Sequence, residues 1–143
     1  MEQPNVDLVQ LSTEQILEAP ESDYMNSAQL EFFRGLLIEL YNTTNERIQA
    51  AKELMASPPE VNDENDRASW EEQSNMSLRI LEREQKLLPK IKESLSRIRS
   101  GSYGYCLESG EPIGIQRLLA RPTAEYCAEV KAVKEIKENA YRA

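Results

Sequence analysis

Two helical stripes separated by a proline break predict a mainly α chain: a long antiparallel coiled-coil helical hairpin with a small globular domain attached. In the first stripe the positions Leu30, Phe33, Leu37, Leu40, Thr44, Ile48, Ala51 and Met55 recur at intervals of three and four. In the second, Ile80, Leu87, Ile91 and Ile98 do the same, and Leu81, Leu88 and Leu95 widen it. Such spacing is the seam of helices that bury one edge against a partner. Between the stripes, Pro58-Pro59 cannot continue a helix, so the chain must turn. At about 1.5 Å per residue each arm is expected to reach about 40 to 50 Å, a reach suited to a probe.

Composition narrows the function classes. A chain of 143 residues supports one domain, or a rod plus a small globular part. It is 40% apolar and 29% charged, a mixture typical of packed helical proteins. No window approaches 18 uninterrupted apolar residues, which excludes a transmembrane helix. The start Met1-Glu2-Gln3-Pro4 has no basic region before an apolar run, so a cytoplasmic location without a membrane partner is expected. A net charge of −8 opposes contact with a phosphate backbone. Direct DNA binding is therefore not expected; the charge points to a protein partner offering a basic or metal-bearing cavity. Two cysteines and no histidine remove a disulfide scaffold and the commonest general base.

Taken in order, residues 1–27 form an N-terminal segment expected to pack with the globular part. Within it, Ser12 and Gln15 have capping-box spacing for a short helix over Thr13 to Glu18. Tyr24-Met25-Asn26 supplies an N-cap with Gln29 three residues on, so the first arm should open near Ser27. The hairpin is expected over 28–101 with its tip at 57–66. Its second arm should be capped by Asp63 or Asn65, kinked at Pro89 and stopped by Ser100-Gly101. In 102–143, Ser102 to Leu107 and Pro112 to Gln116 read as a small β-hairpin around Glu108-Ser109-Gly110-Glu111. Thr123 is then expected to cap a last helix with Tyr126, Val130, Val133 and Ile136 on its inner face.

Three constellations could carry chemistry. Between Glu60 and Glu72 six acids face one arginine, and Asp63 and Asp66 stand three residues apart. They can serve as a helix cap and a dipole complement, or as paired carboxylates delivered to a cation or basic site in another molecule. A self-contained calcium loop fails, because Ala68 replaces its glycine and Ser74 its glutamate. Second, Cys106 and Cys127, each followed three residues on by Ser109 and Val130, have the layout of a four-cysteine zinc finger with half its ligands replaced. The competing reading makes the two thiols small buried hydrophobes, with Val130 filling the space of a ligand. Third, Arg83, Lys86, Lys90, Arg117, Arg121 and Lys131 are either solvated faces or parts of an anion pocket.

These features, in this order, resemble the DksA family of bacterial transcription regulators. The resemblance rests on Tyr24-Met25-Asn26, Asp63-x-x-Asp66-Arg67-Ala68, Gly104-Tyr105-Cys106, Pro112-Ile113-Gly114-Ile115, Arg117-Leu118, Ala120-Arg121-Pro122-Thr123-Ala124 and Cys127. It spans about residues 22 to 140. What it implies is a monomeric, non-catalytic factor that binds RNA polymerase and inserts its coiled coil into the secondary channel. With the alarmone ppGpp it would modulate open complexes at ribosomal-RNA and amino-acid biosynthesis promoters. By motif position, the tip falls on Asp63, Asp66 and Ala68, and the ppGpp- or polymerase-facing bases on Lys90, Arg121 and Lys131. The zinc-finger positions Cys106, Ser109, Cys127 and Val130 match the cysteine-poor branch, for which no tightly bound zinc is expected. The alternative from another class is a secondary-channel factor that stimulates transcript cleavage by placing acids on a second magnesium; a third is a structural coiled-coil adaptor.

Overall fold

The computed structural model describes residues 10–56 and 64–142. Its helices are α1 (Thr13–Glu18), α2 (Ser27–Ala56), α3 (Glu64–Ser100), α4 (Ile115–Ala120) and α5 (Ala128–Arg142), with a 3-10 turn at Glu21–Asp23. The expected tip turn, with Asp63, lies outside the described residues. Two compact units emerge: Ile38–Glu93 forms one, while the chain through Leu37 and everything from Ser94 onward form the other.

In the first unit α2 and α3 run antiparallel. Partner numbers fall along α3 as they rise along α2, from Lys92 beside Tyr41 to Glu84 beside Arg47. Ile48, Ala51 and Leu81 form the buried cluster, with Met55, Ile80 and Leu88 packed against it. On α3 a line of covered positions runs through Ser77, Leu81, Glu84, Leu88, Ile91, Leu95 and Ile98, an unbroken alternation of fours and threes. That is a coiled-coil heptad, and Ser77 and Glu84 occupy it beside the apolar residues.

The α2 stripe carries a phase change. Between Leu40, Thr44 and Ile48 two intervals of four follow one another, where a strict heptad would place Arg47 on the seam. Arg47 stays largely exposed but donates from Nη1 to Glu84 Oε1 at 3.2 Å; Arg83 Nε reaches Glu84 Oε2 at 3.4 Å. A carboxylate with a side chain only 4% exposed survives there because both oxygens meet guanidinium donors. At the same phase change Thr44 is fully buried, and its hydroxyl has no hydrogen-bond partner among the described residues.

Pro89 does not end α3. It lies on the exposed side, so the Gln85 carbonyl it cannot serve lies on the solvent side, while Leu88 and Ile91 hold the opposite side of the helix to the seam.

The second unit is assembled around aromatic contacts. Asn26 caps α2 as expected: its side-chain oxygen accepts the Gln29 N–H at 2.9 Å, and its carbonyl accepts from Leu30. Gln29 Oε1 accepts in return from the Met25 N–H. The capping box of Ser12 and Gln15 on α1 is also present. Phe33 packs on Tyr103, with ring centroids 5.6 Å apart, and Tyr103 donates from its hydroxyl to the Pro122 carbonyl at 2.7 Å. Burial raises the Tyr103 phenol well above its ordinary range. Helix α3 stops in a double cap at Gly101, whose φ is +85°. There the Ser102 N–H returns to the Arg97 carbonyl, and the Gly101 N–H to Ile98.

Two expectations are corrected in this unit. The β-hairpin reduces to one antiparallel bridge, Tyr105 to Pro112. Gly114, at φ +103°, turns the chain immediately afterward, and Ile115-Gln116 open α4, which buries Leu118 completely. The last helix opens at Ala128 instead of at Thr123. Thr123 and Ala124 are buried in the preceding turn, and Tyr126 is not helical. Val133 and Ile136 are 51% and 68% exposed, so they form no inner face.

Thr44→Val replaces an orphaned buried hydroxyl by an isosteric methyl. It is expected to raise stability by about 1 kcal/mol in denaturant titration; an unchanged or lower midpoint would show that the hydroxyl has a partner.

Candidate functional site

Asp66 and Ala68 both lie at the exposed start of α3. Asp66 shares the first turn with Glu64, where negative charge complements the positive end of the helix dipole. Dipole complementation and outward delivery are therefore compatible at Asp66.

The bases separate between units. Lys90 is exposed on α3 within the hairpin unit. It continues a row that the sequence reading recognised only in part: Arg79, Arg83, Lys86 and Lys90 follow at four, three and four residues, all exposed on one face. Arg121 and Lys131 belong to the other unit. Arg121 ends α4 and Lys131 lies in the first turn of α5, half-buried. Arg117 donates from Nε to the Tyr126 carbonyl at 3.0 Å. It lines, with Arg121, Leu17 and Ile113, an open cavity of about 810 Å³.

Cys106, Ser109 and Cys127 come together. The Ser109 N–H points at Cys106 Sγ at 3.5 Å, and Ser109 Oγ lies 3.8 Å from Cys127 Sγ. Cys106 is buried, Cys127 half-buried, and Val130 half-buried on α5. Burial pushes the Cys106 thiol up, but the Ser109 hydroxyl and N–H, with the Cys127 and Glu108 N–H groups, outweigh it and bring the thiol down to about 6. Structural zinc needs four sulfur or imidazole ligands. The third position here is a hydroxyl already accepting the Glu111 N–H at 3.3 Å, and the fourth is hydrocarbon. No group of three or more His, Cys, Asp or Glu able to hold a metal occurs among the described residues. The residues do not fit zinc.

The sequence reading assigned Tyr24-Met25 no role beyond leading into a cap, yet this pair fastens the cysteine-bearing loop. Tyr24 donates from its hydroxyl to the Gly104 carbonyl at 2.6 Å and accepts the Gly114 N–H at 2.9 Å. Its ring meets Tyr105 edge-on, with centroids 5.6 Å apart, and burial raises its phenol. A Cβ on Gly104 would sit 2.7 Å from Met25 Cγ, and Gly104 has φ +95°. The signal available in sequence was the pairing of an aromatic-methionine step before the arm with a glycine beside the first cysteine.

Residues 29–98 match the family model "DnaK suppressor protein DksA, N-terminal domain", and residues 101–135 match "Prokaryotic dksA/traR C4-type zinc finger". The RNA polymerase-binding transcription factor DksA of Escherichia coli strain K12 is 38% identical over 122 residues, covering 85% of this chain and 81% of that protein. The protein of the same name from Caulobacter vibrioides strain NA1000 is 39% identical over 123 residues, covering 85% and 87%. The structure of transcription factor DksA2 from Pseudomonas aeruginosa superposes with a TM-score of 0.76 at 44% identity, covering 90% of this chain and 99% of that one.

Gly104→Ala meets both a positive φ and the Met25 side chain, so it is expected to destabilise by about 1 to 3 kcal/mol. Gly35→Ala, in mid-helix with nothing within 4 Å, is expected to stabilise by about 1 kcal/mol. Equal thermal shifts for the two variants would refute the contact.

Proposed function

The chain belongs to the DksA family, and from that premise we propose that it is an RNA polymerase-binding transcription factor that acts without catalysing a reaction. Its acidic segment around Asp63, Asp66 and Ala68 enters the secondary channel. With ppGpp as an effector at the polymerase interface, and Lys90, Arg121 and Lys131 as the bases that face ppGpp or the polymerase, it alters open-complex stability at ribosomal-RNA and amino-acid biosynthesis promoters.

The observation that carries this reading is the exposed Asp66-to-Ala68 segment at the start of α3, beside the segment joining two seam-paired helices of 30 and 37 residues. Helices of that length extend about 45 and 55 Å, and such long arms serve delivery better than core formation. In a confined channel of low dielectric, a carboxylate near a metal-bound catalytic centre changes the local field strongly. The chain's net charge of −8 favours approach to a basic channel. The basic row from Arg79 to Lys90 supplies contacts of opposite sign to the acidic segment, which would fix how the hairpin is rotated as it enters. The pair of Cys106 and Cys127, with a hydroxyl and a hydrocarbon at the other two motif positions, supports a globular part that folds without zinc.

In transcription from a ribosomal-RNA promoter with and without ppGpp, Asp66→Asn is expected to lose inhibition while keeping near-parental polymerase affinity. Undiminished inhibition would exclude the acidic tip as the acting group. Purified protein is expected to contain well under one zinc per chain and to keep its melting temperature in chelator. Stoichiometric zinc, or melting on chelation, would contradict metal-free folding.

A further inference from the structure

The place where a zinc ion does not fit still holds two converging thiols. Cys106 Sγ receives the Ser109 N–H at 3.5 Å. Ser109 Oγ lies 3.8 Å from Cys127 Sγ. One serine thus touches both sulfurs. N–H donors aimed at a sulfur favour its thiolate form, the form that ligates metal.

From this arrangement we propose that Cys106 and Cys127 form a two-coordinate site for a closed-shell monovalent soft cation, Cu(I) or Ag(I). A divalent ion such as zinc seeks four donors and finds two. A d10 monovalent ion is satisfied by two thiolates, and thiolate softness selects for it. Val130, at the fourth position of the motif, offers hydrocarbon in place of the further ligand that would favour zinc. The cation enters from the side of the half-buried Cys127 and the exposed Ser109. Binding changes no oxidation state: each sulfur forms one metal–sulfur bond as a thiolate, any proton a thiol still carries passes to solvent, and the filled site carries one negative charge. Lys134, paired at 3.0 Å with Glu108 two residues beyond Cys106, is the cation on that side.

The test uses the full chain, reduced and metal-free, titrated with Cu(I) buffered by a chromophoric chelator, and in parallel with Ag(I) and Zn(II). The expected result is one Cu(I) or Ag(I) per chain, with thiolate-to-metal absorption and a raised melting temperature, and no comparable retention of zinc. Cys127→Ser and Cys106→Ser should each abolish stoichiometric retention. Because Cys106 is buried, Cys127→Ser, which alters a half-buried side chain, is the deciding variant should Cys106→Ser not fold. Failure of the chain to hold Cu(I) against the chelator, equal retention of zinc, unchanged binding in Cys127→Ser, or one ion bridging two chains would each overturn the proposal. None of these readouts involves transcription, so the proposal fails or stands separately from the polymerase reading.

Discussion

The ion pair between Arg47 and Glu84 sets the register on which the hairpin depends. Apolar seams alone tolerate sliding, because one leucine layer resembles the next. A buried carboxylate does not tolerate it, since a shifted register would take Arg47 away and leave Glu84 Oε1 without its donor. The phase change in α2 makes this possible. By moving the seam one residue past Arg47, it leaves that side chain at the edge, able to reach inward while staying largely in water. The fully buried Thr44 hydroxyl accompanies the same irregularity.

In the other unit the corresponding constraint is the Tyr24 hydroxyl. It both donates and accepts, joining the segment before α2 to Gly104 on one side of the short bridge and Gly114 on the other. Those glycines flank the loop that carries Cys106 and Ser109. Sulfur geometry is thereby held by hydrogen bonds and ring packing, with Phe33 on Tyr103 behind it. The two units of the chain thus rest on separate fastenings, a buried ion pair in one and a phenol in the other.

The hairpin was legible in the sequence because apolar periodicity reports burial directly. Each α2 stripe residue from Leu30 to Met55 is buried or half-buried, and the caps at Ser12 and Asn26 form as their spacing required. Glu84 and Ser77 escaped notice because a stripe was sought among apolar residues, although the heptad running through Leu81, Leu88 and Ile91 already assigned them places. Beyond Gly101 the reading weakened. Extended-looking residues such as Ile113 and Ile115 are too short a run to separate a strand from a turn followed by a helix, and Gly114 decided for the latter. Exposure of Val133 and Ile136 was not foreseeable, since periodicity shows that a helix could bury a face and not that a neighbour is present. Within the candidate site, the convergence of Cys106 and Cys127 on Ser109 followed the motif spacing; the fastening by Tyr24 required coordinates.

The double cap at Gly101 has an architectural corollary. Because α3 is stopped by its own returning backbone bonds, the point where the long helix gives way to the cysteine-bearing loop is written locally. The Arg47–Glu84 pair, likewise, indexes the arms against each other from within. Registration and termination are thus both encoded inside the helices themselves, so the scaffold carries its own ruler and its own stop.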